Sequence, residues 1–337
     1  MRAFVVTAPG ESSVEYVLAP VAAPGRVVVD VERVGVCGTD VEFFTGEMQY
    51  LHEGFAEFPM RLGHEWMGTV TAVGSAADEA WIGKRVTGDT MLGCGVCRRC
   101  TQGLQHVCEF RYEVGIRGGF AGALAEQLAV PASSLHALPD SVDAALGALV
   151  EPGGNALRSV QGAALREGDR VLILGPGTIG LLAAMIANAK GAEVHLLGRS
   201  QRSLDYAASL GFHGVHTDDT LPDLPWDAVI DASNAAGLPS RALDLVEPGK
   251  RVVYVGLAGS PSLVDTRTIA LKDVTAVGVL SASPGLDGTI ELYASGAVDP
   301  RPLIAATVGL DGVGAVLAGE RPPGAGLGPK MHVDPRI

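Results

Sequence analysis

The sequence is short of charge, and shortest of positive charge. Charged residues make up 19% of the 337, and the balance is 25 − 38 = −13. A net acidic surface repels phosphate backbones and anionic lipid, which argues against a general nucleic-acid or membrane-surface protein. Lysine is scarce, five against twenty arginines. No unbroken hydrophobic run is long enough for a membrane span. Val171 to Ala189 comes nearest, but Gly175, Pro176, Gly177 and Gly180 interrupt it and Lys190-Gly191 ends it. It reads as a buried strand, a tight turn and a buried helix. The opening Met1 to Val6 is too short an apolar run for a signal peptide, so a soluble, cytoplasmic protein is expected. No internal repeat or low-complexity tract is present. The five cysteines are an odd number, which argues against a secreted disulfide scaffold. What the chain does have is apolar content, 47%, enough to bury a large core and exclude wholesale disorder. Its length suggests about two domains.

Two textures follow one another along the chain. Residues 1–140 carry short β-branched runs, Ala3–Val6, Arg26–Val36, Gly68–Val73 and Leu124–Val130, separated by Gly, Pro and Asp. They predict a small β-barrel with long functional loops. From about residue 141 strands and helices alternate. Arg170–Leu174, Glu193–Leu197, Asp227–Asp231 and Arg251–Val255 read as strands, Thr178–Lys190 and Ser203–Leu210 as helices. Such alternation implies a parallel sheet covered by helices on both faces. Beyond about residue 285 the regularity fades, until Lys330–Val333 reads as a last short strand.

Gly175-Pro176-Gly177-Thr178-Ile179-Gly180 fits G-x-G-x-x-G. The pattern alone is weak, but here it directly follows the apolar run Val171–Leu174 and opens a helix. Gly175 permits the tight turn, Gly177 lets the backbone approach a pyrophosphate, and Gly180 allows close helix–strand packing. The end of the next strand reads Leu197-Gly198-Arg199-Ser200-Gln201-Arg202. Gly198 stands where an NAD enzyme usually carries an acid for the ribose 2′-hydroxyl. Without that carboxylate a 2′-phosphate is not repelled, and Arg199, Ser200 and Arg202 can hydrogen-bond to it. NADP(H) is therefore expected over NAD(H).

Cys94, Cys97, Cys100 and Cys108 form C-x2-C-x2-C-x7-C. Four thiolates so close can close a tetrahedron around zinc, a structural site with no open position. Two disulfides or an iron–sulfur cluster are the alternatives, disfavoured by the absent secretion signal and by the spacing. Cys37 remains, in Val36-Cys37-Gly38-Thr39-Asp40, together with the segments Gly63-His64-Glu65 and Val150-Glu151-Pro152. Each is unremarkable alone.

In order and spacing, Gly35-Val36-Cys37-Gly38-Thr39-Asp40, Gly63-His64-Glu65, Gly83-Lys84-Arg85-Val86, the four-cysteine loop and the glycine fingerprint resemble the zinc-dependent medium-chain dehydrogenase/reductase family over essentially the whole chain. The resemblance implies a GroES-like barrel catalytic domain at residues 1–145 and 285–337, with a Rossmann domain at 146–284 inserted between. It also implies a catalytic zinc in the cleft, hence two zinc ions per chain, and a homodimer or homotetramer. By the same resemblance Cys37 and His64 are catalytic zinc ligands, and Glu65 ligates the metal or lies just behind it. Glu151 falls where ordinary alcohol dehydrogenases place a cysteine and the polyol and glucose dehydrogenase branch has Glu. Thr39 matches the proton-relaying hydroxyl, and Asp40 the acid that orients the ligand histidine.

An open zinc site lowers the pKa of an alcohol, and hydride passes between the substrate carbon and the nicotinamide. Glu65 and Glu151 make this site harder than a two-cysteine one, so a substrate with adjacent oxygens suits it. The expected reaction is hydride transfer at a secondary alcohol of a polyol, sugar or cyclitol. A simple secondary alcohol, amino alcohol or aminocyclitol is the alternative. Val41-Glu42 after the Cys-Gly-Thr-Asp block looks more like the glucose than the threonine dehydrogenases, and Glu42 could accept a bond from a sugar hydroxyl. The stretch Met48–Glu53 and the continuation Pro152-Gly153-Gly154-Asn155 depart from the glucose dehydrogenase pattern. Readings from other classes are a non-catalytic zinc- and dinucleotide-binding protein and a nucleic-acid-binding zinc ribbon, the latter opposed by the negative charge.

Overall fold

The computed structural model describes all of residues 1–337. The first texture forms a curved seven-stranded sheet around the long strand Arg26–Val36. Val27, Val29, Val31 and Val34 join the barrel core, and bulges between Val28 and Val29 and between Val31 and Arg33 bend the strand along its pairing with Glu65–Val73. Its other edge is shared. Gln127–Pro131 pairs with its first half. The chain's last strand, Lys330–Val333, pairs antiparallel with its end, Met331 opposite Val36 and Val333 opposite Val34. The C-terminal segment thus completes the sheet that the first third of the chain begins. The fading regularity expected after residue 285 is corrected by a helix, Leu286–Ala294, and by a strand, Ile304–Val308, parallel to Lys330–Val333. A short helix, Val313–Leu317, and a Pro- and Gly-rich loop make that crossover, and they hide the pattern from a reading of periodicity.

The second texture forms a six-stranded parallel sheet. Its spatial order is Gly214–His216, Glu193–Leu197, Arg170–Leu174, Trp226–Asp231, Val246–Tyr254, Thr275–Gly278. Counted along the chain this is 3-2-1-4-5-6, the Rossmann arrangement. Val171 to Leu174 are wholly buried because helices cover both faces. The helix expected at Ser203–Leu210 starts earlier, at Gln201, with Ser200 at its N-cap. Helix Val150–Ala163 lies between the two sheets. Met67, Leu138 and Val142 join the core it shares with the parallel sheet, and so do Leu286, Ile290 and Tyr293 of the later helix. No helix is long and apolar enough to cross a membrane.

Candidate active site

Cys37 ends the long strand and sits at the N-cap of helix Gly38–Thr45. Asp40, in the first turn, accepts the Cys37 N–H at 2.9 Å and the Gly63 N–H at 3.1 Å. Those bonds tie the Cys37 corner to the His64 corner. The buried Asp40 then lies 3.6 Å from His64 Nδ1, which leaves Nε2 free as a ligand nitrogen. Burial opposes charge on His64, but Asp40 outweighs it and raises the imidazole well above its ordinary value. Glu65 opens the next strand, opposite Gly35. The donor atoms of Cys37, His64 and Glu65 all lie within 4.8 Å of one another.

Glu65 has a second partner that the fold delivers from the far end of the chain. Lys330 Nζ donates to Glu65 Oε1 at 2.8 Å and Oε2 at 2.6 Å, and to the Val36 carbonyl at 3.0 Å. Both side chains are buried. Burial would neutralise Lys330, but Glu65 holds its pKa above the ordinary lysine value. Gly35 makes the pair possible: a Cβ there would stand 2.1 Å from Glu65 Oε2. A half-buried thiol with a buried imidazole and a buried carboxylate forms a donor set that suits zinc.

Glu151 is buried in the first turn of helix Val150–Ala163 and takes an Asn155 Nδ2 bond at 3.2 Å. It is not one of the three clustered donors, yet it feels their charges. Burial, reinforced by Glu65 and opposed by His64 and Lys330, pushes its carboxyl up to about 7. The glycines that follow it have packing reasons. A Cβ on Gly153 would meet the Tyr293 hydroxyl at 2.2 Å, and one on Gly154 would meet Ala282 at 2.8 Å. Thr39 is half-buried in the first turn of its helix and does not line the cavity beside Cys37. Glu42 does not line the cavity; its surface is largely exposed, yet partial burial of the carboxyl and then Glu47 raise its pKa. The stretch Met48–Glu53 packs on the segment after the cysteine loop, where Arg117 stacks on Phe55 and Tyr50 at 4.0 and 5.5 Å.

The fingerprint turn lies where the strand order reverses, the position of dinucleotide sites in such sheets. Gly175 has φ +95°, and a Cβ on Gly180 would stand 2.0 Å from the Gly175 carbonyl oxygen. A cavity of about 870 Å³ runs from Gly175, Pro176 and Gly177 past Ser233 to Gly198, Arg199 and Ser200. Gly198 is small for a steric reason, since a Cβ would stand 2.8 Å from the Pro176 ring. Asp218 also lines this cavity, 3.8 Å from Arg241. Arg202 lines an adjoining cavity instead. A further cavity of about 330 Å³ has Cys37 and Glu65 on one wall and Gly177, Thr178 and Ile179 on the other.

The four-cysteine loop stands apart. Cys94 Sγ lies 3.9 Å from Cys100 Sγ, and Cys97 Sγ lies 3.7 Å from Cys108 Sγ. A tetrahedron with Zn–S bonds of about 2.3 Å has edges of about 3.8 Å, whereas a disulfide needs about 2.05 Å. The thiols are unpaired and fit a four-coordinate metal, so the disulfide alternative does not hold. Gly93 leaves room for Cys100 Sγ, 2.6 Å from where its Cβ would be. The backbone N–H groups of Val96 and Cys97 help pull the Cys94 thiol down to about 6.

The pattern of the alcohol dehydrogenase GroES-like domain matches residues 23–140, and that of the zinc-binding dehydrogenases matches residues 178–295. A 2-dehydro-3-deoxy-L-galactonate 5-dehydrogenase of Pseudoalteromonas atlantica is 31% identical over 315 residues, 90% of this chain and 89% of that one. The chain belongs to the zinc-dependent medium-chain dehydrogenase/reductase family. An L-threonine 3-dehydrogenase of Sinorhizobium fredii is 29% identical over 325 residues, 92% of each chain. The crystal structure of a zinc-binding dehydrogenase from Sinorhizobium meliloti bound to NADP superimposes with a TM-score of 0.88 at 28% identity, covering 99% of each chain. The protein is thus an alcohol-type dehydrogenase that uses zinc and a nicotinamide cofactor, which sets aside the non-catalytic reading.

In this dehydrogenase neither motif nor spacing singles out Lys330, Gly35 as a packing position, or Asp218. Lys330 carried a usable signal. A lysine heading an apolar strand in a lysine-poor chain needs a buried partner, because lysine is almost never fully buried unpaired. Asp218 had none, since its place on the cleft depends on the turn after Gly214–His216.

Proposed function

We propose that this dehydrogenase transfers hydride between NADP(H) and a secondary alcohol or ketone of a polyol, sugar or cyclitol. The observation that carries the reading is the 330 Å³ cavity, with Cys37 and Glu65 facing the start of the fingerprint helix across it. Cys37, His64 and a carboxylate, Glu65 or Glu151, would hold the catalytic zinc, and the four cysteines a second, structural zinc. When bound, zinc lowers the pKa of an alcohol and the nicotinamide carries the hydride.

The chain's own residues do the rest. Asp40 keeps His64 in the tautomer that offers Nε2. Lys330 positions the Glu65 carboxylate. Thr39, next to the Gly38 that lines the cleft, would relay the alcohol proton onward towards solvent. Gly177 and Thr178 present backbone N–H groups to the pyrophosphate. Two carboxylates around one site suit a substrate with neighbouring hydroxyls, whose second oxygen takes a hydrogen bond or a metal position. The relative named for a sugar acid supports that class, and the one named for L-threonine supports an amino alcohol as the second reading. The crowding of Gly198 by Pro176 leaves no room for an acid at that position, where Arg199 and Ser200 line the cleft; the Asp218 that also lines it faces Arg241.

The proposal includes a catalytic unit of residues 1–145 and 285–337 around a dinucleotide unit of 146–284. It also includes self-association as a homodimer or homotetramer. The edge strand Thr275–Gly278 is largely exposed, and Leu257, Leu263 and Leu271 are exposed large apolar side chains. An open strand edge of this kind is suited to a second copy. The deciding assay presents polyols, aldoses, cyclitols and amino alcohols with NADP⁺ and with NAD⁺, following reduced nicotinamide by absorbance. Vicinal diols with NADP⁺ should turn over fastest. Turnover confined to simple mono-alcohols would sink the substrate class, and equal use of both cofactors the NADP(H) preference.

A further inference from the structure

The cavity that takes Arg202 away from the main cleft holds a second arginine. It measures about 210 Å³ and lies between the dinucleotide fold and the loop after helix Val313–Leu317. Arg202 and Ser203 come from helix Gln201–Ser209, while Arg321 and Leu327 come from the loop. Pro176, Ser203 and Pro329 line both this cavity and the main cleft, so it is a side bay of the cofactor site.

The two arginines face each other without a counter-charge. Arg321 Nη2 donates to the Gly326 and Gly328 carbonyls, which anchors it to its own loop and leaves Nε and Nη1 available. Burial and the charge of Arg202 push the Arg321 guanidinium down, and no carboxylate offsets them. Arg202 is exposed and Arg321 half-buried, so water screens part of their repulsion, and an anion shared between them would relieve the rest. Tyr206 adds no donor, because its hydroxyl is given to the Pro302 carbonyl at 2.5 Å.

Position selects which anion. The pyrophosphate belongs on the helix N-terminus at Gly177 and Thr178. Neither residue lines the bay. The bay instead adjoins Ser203 and Pro176, and the Pro176 ring packs against Gly198, where the ribose 2′ position is read. We infer that Arg202 and Arg321 close on the 2′-phosphate of NADP(H) from opposite sides, so that the C-terminal segment of the barrel takes part in choosing the cofactor. This rests on the NADP(H) reading above. Arg199 and Ser200 then hold the same phosphate from the main cleft. The loop that Arg321 anchors leads directly into Lys330, which positions Glu65.

The test uses the zinc-loaded enzyme and two probes, 2′,5′-ADP and 5′-AMP, titrated by calorimetry alongside NADPH and NADH. The parent should bind 2′,5′-ADP more tightly than 5′-AMP. Arg321→Gln and Arg202→Gln should each weaken 2′,5′-ADP and NADPH about tenfold, leaving 5′-AMP and NADH unchanged. The double variant should lose less than the product of the two, because both arginines hold one group. Arg202→Gln leaves the Arg321 loop intact, so it separates loss of charge from loss of loop structure. Equal weakening of both probes in Arg202→Gln, or a preference untouched in both single variants, would overturn the clamp while the parent's preference for 2′,5′-ADP still upheld NADP(H). A parent with no preference would remove the NADP(H) reading and the clamp with it.

Discussion

On the dinucleotide side of the cleft the working surface is backbone. Gly175, Gly177 and Gly180 come from one turn, and their use lies in what they lack: a Cβ on Gly180 would strike the Gly175 carbonyl. On the barrel side the proposed working surface is side chains, drawn from Cys37, His64 and Glu65, with Asp40 and Lys330 of the last strand beside them. One wall is therefore vulnerable to added atoms and the other to removed ones. The contrast also shows why the barrel needs both ends of the chain. Helix and turn can present N–H groups locally, but a buried carboxylate must be met by a cation wherever the topology can supply one.

The sharpest way to break that contrast is to remove a side chain from the barrel wall. Cys37→Ala should abolish turnover and lower zinc from about two to about one per chain, the remaining ion held by the four-cysteine loop. Cys97→Ala should lower zinc by the same amount but act first on thermal stability. Two ions retained in Cys37→Ala, by metal analysis, would show that Cys37 is no ligand. Next in size is Lys330→Met, which leaves Glu65 buried without its ammonium and should cost about 3–5 kcal/mol in urea unfolding. Lys330→Met with Glu65→Gln should recover most of that loss. A single variant as stable as the parent would mean that the pair does not anchor this wall.

The opposite wall is tested by addition. Gly180→Ala places a methyl 2.0 Å from the Gly175 carbonyl oxygen, so the turn must shift. Overpacking of this kind costs about 1–3 kcal/mol. The expected kinetic signature is a raised KM for the nicotinamide cofactor with kcat largely kept, because the barrel wall is untouched. A variant with the parent's KM would show that the turn tolerates a side chain and that its glycines are not what shapes the wall.

The two walls also differ in how far the sequence reveals them. A site made of contiguous backbone is written in consecutive residues, so Gly175 to Gly180 and the four-cysteine loop can be read from spacing alone. Gly198 could be read as a missing acid, but its cause, the Pro176 ring, needs the fold. Cys37, His64 and Glu65 were singled out through resemblance rather than spacing, since nothing local joins residue 37 to residue 64. The link is the pairing of Arg26–Val36 with Glu65–Val73 and the two Asp40 hydrogen bonds. Lys330 signals that it needs a partner, but which partner stayed hidden because its strand pairs with Arg26–Val36, some three hundred residues earlier. Arg321 stayed hidden because a Pro- and Gly-rich loop has no period to read.

The smallest effect is expected far from the cleft, and it checks whether the sheet wall is as self-contained as its backbone suggests. Glu193 and Arg170 open neighbouring strands at the ends opposite Leu197 and Leu174, which lead into the cofactor turn. Arg170 donates to both Glu193 oxygens, at 2.6 and 2.9 Å, and His195 Nε2 lies 2.8 Å away. The Arg170 bonds first, then His195, pull the Glu193 carboxyl from 4.5 down to about 2. As pH falls from about 4.5 the unfolded chain takes up this proton before the folded one does, so stability drops until both are protonated near 2. The contribution is therefore present above about 4.5 and gone by about 2. Glu193→Gln should lower Tm at pH 6, and the gap should close as the pH falls through that window. Because Glu193 is partly exposed, solvent screening keeps the gap modest. NADPH affinity at pH 7 should not change. If it does, strain at the base of the sheet reaches the glycine turn, and the cofactor wall depends on distant side chains as the barrel wall does.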